Sequence, residues 1–275
     1  MSERGRQRLA SSARYGLATR PLPCQRPAMH DGQEDAWLAG VDGCAGGWIV
    51  AFVRARDNEV RLRIERRFAD ILSGPERPAI VAVDMPIGLP ERAGPGGRAA
   101  ETSVRRLLGQ RQSSVFSVPS RAAIYATGYR EACRVALATS DPPRKVSKQL
   151  FNIAPKIREV DGFLRTSPTA AARVFEVHPE AAFWRMNRER ALTEPKKVKS
   201  RPYEPGLALR RELLAAAGFS TQTANAAPPK GAGADDLLDA LACAAIARRI
   251  HAGIAQPFPN PPPCDAFGLR MAIWA

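Results

Sequence analysis

No run of about 18 apolar residues interrupts this 275-residue sequence, so no membrane span is expected. No CxxC pair occurs among Cys24, Cys44, Cys133, Cys243 and Cys264, which are odd in number and scattered. Neither a disulfide framework nor a zinc knuckle follows from such spacing, and Cys44 and Cys243, set among small apolar residues, read as ordinary buried thiols. Residues 1–36 lack the central apolar region of a secretory signal and contain Pro21, Pro23 and Pro27, so they read as a poorly ordered extension. No internal repeat is visible. These absences point to a cytosolic globular chain.

What is present is positive charge. Lys and Arg total 41 against 27 Asp and Glu, a net charge of +14. The first 36 residues hold six Arg and four acids, so about +12 belongs to the rest of the chain. That favours a polyanionic partner, most simply nucleic acid, engaged through phosphate contacts and counterion release. Arginine enrichment at solvated positions is the other account of the same count.

The chain is organised around residues 38–53, LAGVDGCAGGWIVAFV. Two β-rich runs joined by a glycine-rich turn predict a hairpin, with Asp42 at the end of a buried strand. A lone charge there is costly unless a cation or hydrogen-bond donors meet it; an Asp that accepts N–H groups of its own turn would also satisfy it. Residues 61–69 predict a third strand. The run AIVAVDMPIGLP (79–90) ends in Asp84 followed by Met85-Pro86, and proline should stop the strand there. Helices are expected over about 98–109, 121–139 and 147–165, the last kinked or restarted at Pro155. Residues 173–180 return to strand, helices follow near 180–192 and 205–217, and 194–202 is a basic loop. The clearest helix spans 234–253, and the final residues are expected to add a strand.

That helix opens Asp235-Asp236-Leu237-Leu238-Asp239. Asp236 and Asp239 share a face, as do Asp235 and Asp239, and like charges this close need an offset. Asp235 as the N-cap accounts for one of the three, whereas Asp239 lies a full turn inside. Alanines 240, 242, 244 and 245 allow the helix close to a sheet. Strand-end and helix-start carboxylates from distant parts of a chain, here Asp42, Asp84, Asp236 and Asp239, suit Mg²⁺ or Mn²⁺. Two such ions can activate water against a phosphodiester.

The order strand-Asp, hairpin, strand-Asp and late DxxDAL helix resembles the RNase H-like superfamily, with the helix closest to that of RuvC-type Holliday-junction resolvases. VDGCAGGW, VDMPIGLP, RRLLGQRQSSVFSVPSR, FEVHPE and DDLLDALACA together are similar to a bacterial family of predicted nucleases, domain of unknown function 429, over roughly residues 38–275. The resemblance implies an α/β fold, an RNase H-like mixed five-stranded sheet flanked by helices, occupying residues 37–275 with a helical insertion at about 91–170 between strands 4 and 5. It implies metal-ligand roles for Asp42, Asp84, Asp236 and Asp239. RNase H proper also carries a Glu on its first helix, where this chain offers only Asp70.

Glu176 and His178 are expected on one side of a strand, as a fifth ligand and a proton shuttle; a hydrogen-bonded strand His is the plainer account. Arg98, Arg111, Arg121, Lys156 and Ser113-Ser114 are candidates for phosphate contacts. The expected function is a metal-dependent nuclease. A non-catalytic nucleic-acid-binding or adaptor protein comes second. Third is an actin- or sugar-kinase-like phosphotransferase, suggested by the Asp-Gly-Cys-Ala-Gly-Gly hairpin but lacking a second Asp-x-Gly hairpin.

Overall fold

The computed structural model describes residues 35–199 and 201–275. The extension expected over 1–36 therefore lies almost wholly outside the described residues. The first apolar runs form an antiparallel ribbon of β1 (Trp37–Cys44), β2 (Gly47–Arg54) and β3 (Val60–Glu65). Strand character ends at Glu65, earlier than expected, because Phe68, Ile71 and Leu72 follow at helical spacing. They become the buried side of α1 (Phe68–Ser73). The chain then enters β4 (Ile80–Val83), fully buried and stopped before Pro86.

The insertion begins with α2 (Ala99–Arg105), a 3-10 turn at Gly109–Ser114, α3 (Arg121–Tyr125) and α4 (Tyr129–Ala138). The single helix expected over 121–139 is thus two, parted at Gly128, which has extended backbone and low helix propensity. Next come α5 (Lys148–Thr166) and α6 (Pro168–Arg173). The helix α5 continues across Pro155 rather than restarting. Leu150, Ala154, Ile157, Val160 and Leu164 are all buried along it, and that packing offsets the missing N–H.

The chain returns through β5 (Val174–Glu176), α7 (Pro179–Met186) and a small ribbon of β6 (Lys197–Val198) and β7 (Arg201–Pro202). It continues with α8 (Glu204–Ala216), α9 (Thr221–Ala224) and α10 (Ala234–His251), and ends with β8 (Pro257–Phe258) and β9 (Ile273–Trp274). The basic loop expected at 194–202 is the β6–β7 ribbon and its approach.

The main sheet has the order β3-β2-β1-β4-β5-β9-β8. β1, β4, β5 and β9 run parallel to one another, and β3, β2 and β8 complete the mixed sheet. The first five strands and the helical insertion between β4 and β5 are consistent with an RNase H-like fold; β9 and β8 extend the expected five strands to seven.

Strand alternation divides the core. Leu38, Ile49, Ala82 and Phe175 face α10, α7 and α8, whereas Val41, Val50, Val83 and Val174 face α1 and the insertion helices. No described helix is long and apolar enough to cross a membrane. Cys44, Cys133 and Cys243 are buried free thiols, while Cys264 is disulfide-bonded, which the scattered spacing did not announce.

Candidate metal centre

In the core, β1 and α10 approach almost to backbone contact. A Cβ on Gly40 would lie 2.1 Å from both the Ala240 carbonyl oxygen and the Ala244 nitrogen. Only glycine on the strand and alanines on the helix permit this contact, and it seats the first turns of α10 over the end of β1. Asp42 follows Gly40 on the same strand face. The parallel register sets Gly40 beside Ala82 and Val41 beside Val83, so Asp84, whose N–H donates to the Val41 carbonyl at 2.9 Å, emerges next to Asp42. Asp239 comes down from α10 one residue before Ala240. Asp42, Asp84 and Asp239 each offer a carboxylate oxygen, and these oxygens lie within 4.8 Å of one another.

Asp42 and Asp239 are buried and Asp84 is half-buried. Burial, then repulsion from Asp84 and Asp239, pushes the Asp42 carboxyl well above the usual range. Burial and Asp239 push Asp84 up to about 8; burial pushes Asp239 up to about 6, with Lys196 opposing. The compensating contacts are few. Asp42 accepts its own turn's Gly43 N–H at 2.7 Å, Asp239 Oδ2 pairs with the Lys196 ammonium, and Asp239 Oδ1 is buried with no hydrogen-bond partner. Three converging carboxylates and one orphaned buried oxygen are a donor set that fits a divalent cation.

Lys196 is the residue that sequence reasoning passed over. Burial alone would lower its pKa; the Asp239 and Asp42 carboxylates outweigh burial and hold the ammonium charged. Its only signal was membership of a basic loop containing Lys196, Lys197 and Lys199, which does not say which lysine turns inward.

Asp236 is not brought into the triad. Gly233 is the N-cap of α10, and Asp236, three residues on, accepts the Gly233 N–H at 2.9 Å, the acidic half of a capping box. Asp235, expected as the cap, instead pairs with Lys197 at 2.5 Å. Asp70 lies in α1 and pairs with Arg67 at 2.7 Å.

A cavity of about 210 Å³ opens beside the triad, lined by Asp42, Asp84, Ser114, Phe116, Lys156, Glu176 and His178 among others. Glu176 borders it from the other side of the sheet, since alternation places it with Val174 rather than with Phe175 and Val177. Its carboxylate takes Arg98 Nη2 at 2.6 Å and the Ile87 N–H at 2.8 Å, and burial raises its pKa to about 7 against the pull of Arg98. His178 is the N-cap of α7: Nδ1 accepts the Glu180 N–H at 3.2 Å and Nε2 lies 3.4 Å from the Ser114 carbonyl oxygen. Burial lowers its pKa to about 4, so the ring is neutral at pH 7 with both nitrogens engaged.

The basic candidates divide. Arg98 is buried and donates to Glu101, Glu176 and the Ile87 and Gly88 carbonyls. Arg121 is buried between Asp161 at 2.8 Å and Asp265 at 2.6 Å. Lys156, also a candidate for phosphate contacts, reaches the cavity, donating to the Gly47 carbonyl with its ammonium 4.4 Å from the Trp48 ring centroid. Ser114 lines the cavity and donates to the Arg111 carbonyl at 2.7 Å, with Arg111 half-buried in the same 3-10 turn and Ser113 exposed. No curated protein and no solved structure matches the chain. Residues 40–263 match the family model described as protein of unknown function (DUF429), and the chain belongs to that family.

Proposed function

We propose that this protein is a metal-dependent nuclease of the RNase H-like superfamily, hydrolysing phosphodiester bonds of nucleic acid. The observation that carries the reading is the convergence of Asp42, Asp84 and Asp239, from three separate elements, within 4.8 Å. These three would hold Mg²⁺ or Mn²⁺. When bound, the ion would polarise a phosphoryl oxygen and lower the pKa of water, the two tasks phosphodiester hydrolysis demands.

The chain's own residues supply the rest. Lys196 holds a positive charge against Asp239 and limits the mutual repulsion of the carboxylates. Lys156, Ser114 and Arg111 flank or line the cavity and are the residues we assign to the substrate backbone. Arg98 and Arg121 act indirectly, since their guanidinium groups are committed to internal carboxylates. Arg98 fixes Glu176 at the cavity wall, and His178 anchors Ser114 and the start of α7.

A second reading, a nucleic-acid-binding protein without catalysis, draws support from the Lys196–Asp239 pair, a cation already built into the site. The phosphotransferase reading is weakened at the hairpin. The Gly46 N–H, which a phosphate-gripping turn would present, donates to the Gly231 carbonyl at 2.9 Å.

The deciding experiment incubates purified protein with Mn²⁺ or Mg²⁺ and single-stranded, duplex, hybrid and branched substrates. Cleavage of at least one, lost on chelation and in Asp42→Asn, is expected. No cleavage of any substrate, or cleavage unchanged in Asp42→Asn, overturns the nuclease reading. Salt-dependent binding indifferent to chelator and to Asp42→Asn would establish the second.

A further inference from the structure

A larger cleft lies at the far end of α10 from the carboxylates. It has a volume of about 500 Å³, within the range of small-molecule sites. Its floor is apolar, built from Leu38 at the start of β1, Met186, Leu213, Ala217 and Ala245. Ile254, 56% exposed, stands at its edge. Its polar lining is basic: Arg185 from α7, and Arg248, Arg249 and His251 from the last turn of α10.

The matching of these charges is incomplete. Arg248 donates to the Ala217 carbonyl at 3.0 Å and Arg249 to the Ile254 carbonyl at 3.3 Å; among the described residues neither has a carboxylate within ion-pair distance, and Glu189 acts on Arg249 only from farther off. Glu189, mostly exposed, is the one acid paired here, and it meets Arg185. The Nε atoms of Arg185 and Arg249 are buried without hydrogen-bond partners. Burial lowers the pKa of Arg248; burial and the neighbouring Arg185 charge lower that of Arg249. The C-terminal dipole of α10 accounts for basic residues on its last turn. It does not account for Arg185, which belongs to another helix, nor for an apolar floor beneath them.

We propose that this cleft binds a small amphipathic organic anion, its apolar body on the Leu38–Met186–Leu213 floor and its carboxylate or sulfonate head between Arg248 and Arg249. The anion supplies the charge that these arginines lack and covers the apolar floor. A bare inorganic anion would leave the floor wet, and a neutral hydrocarbon would leave the guanidinium groups unmatched.

The test uses the full chain with 1-anilinonaphthalene-8-sulfonate as the fluorescent probe. Saturable binding at one site per chain is expected, displaced by octanoate but not by equal concentrations of octan-1-ol or inorganic phosphate. Arg249→Gln and Arg248→Gln should each weaken it about tenfold, the scale of one lost charge-assisted hydrogen bond. Because Arg248 also ties α10 to α8, Ala216→Trp provides a second variant: position 216 is exposed at the cleft and a bulky ring there should block entry without touching the core. Circular dichroism checks that each variant is folded.

Absence of saturable binding overturns the proposal. So does binding unchanged in both Arg249→Gln and Ala216→Trp, or equal displacement by octan-1-ol. A change of oligomeric state in Ala216→Trp would instead identify the face as a self-association surface, which also overturns it. Asp42→Asn should leave probe binding intact, so this site and the proposed nuclease centre stand or fall separately.

Discussion

Two buried clusters of carboxylates, each assembled from distant parts of the chain, differ in how their charge is met. In the first, Asp161 of α5 and Asp265 of the C-terminal loop share Arg121 at 2.8 and 2.6 Å. Asp161 also accepts the Tyr125 hydroxyl at 2.8 Å, and Asp265 accepts the N–H groups of Leu89, Phe267 and Leu269. In the second, Asp42, Asp84 and Asp239 have, among the described residues, one lysine, one local N–H and an orphaned oxygen between them. Breaking a matched network exposes a buried charge, so its members hold the fold together. An unmatched cluster costs stability in isolation and persists where something else completes it. Burial alone therefore does not separate scaffold from site; the balance of donors and acceptors does.

The sharpest way to break this comparison is Arg121→Met, which removes the cation that two buried carboxylates share and leaves Asp161 with Arg165 at 3.6 Å and Asp265 with backbone N–H groups. A loss of about 3–5 kcal/mol in urea unfolding is expected, with the Mn²⁺-induced stabilisation retained. A loss below about 1 kcal/mol would mean that the matched network is dispensable.

Gly40→Ala should cost about 3 kcal/mol, because the new methyl meets helix backbone rather than a movable side chain. It should also abolish divalent-metal binding by lifting Asp239 away from Asp42, a loss that calorimetric titration with Mn²⁺ would read.

Asp42→Asn leaves the packing in place and removes one of the unmatched charges. In the parent protein, Mn²⁺ at a hundred times its dissociation constant should stabilise by about 2.7 kcal/mol. The variant should lose that thermal shift and, without metal, be no less stable than the parent.

His178 belongs with the matched groups and predicts a pH effect. Its folded pKa, about 4, lies below the ordinary 6.5, so between those values the unfolded chain holds a proton that the folded chain lacks. Stability should therefore fall as pH drops from 6.5 towards 4, by about 2 kcal/mol at pH 5. His178→Asn, which can still accept the Glu180 N–H, should flatten that fall in urea midpoints measured across this range.

The smallest effect is expected from Lys196→Ala. Removing the resident ammonium should tighten Mn²⁺ binding about tenfold, or roughly 1.4 kcal/mol. Weaker binding would instead make the lysine a supporter of the ion.

Much of the centre was legible before any coordinates. An apolar run ending in Asp42, another ending in Asp84 before Met85-Pro86, and a helix with Asp239 a turn inside mark strand ends and a helix start, because strands and helices advertise themselves by period and by what stops them. The alanines of α10 correctly announced a close approach to the sheet, although its counterpart, Gly40, was not singled out. The helix start at 234 was read correctly but its cap was not: with Gly233 as N-cap, it is Asp236 that lands three residues on, where a carboxylate can accept the cap's N–H.

The arginines and lysines were illegible for a different reason. Arg98 and Arg121 look from the sequence like solvent-facing cations, and Lys196 like one of several in a loop. Their long side chains can reach many partners, and only the packed chain selects one. Because backbone period is local, residue order was enough to set each carboxylate on its own strand or helix. The tertiary structure alone decided which charges would meet. Pairing across 40, 43 or 144 residues depends on sheet register and on the glycine–alanine contact between β1 and α10, neither of which is written in any one segment.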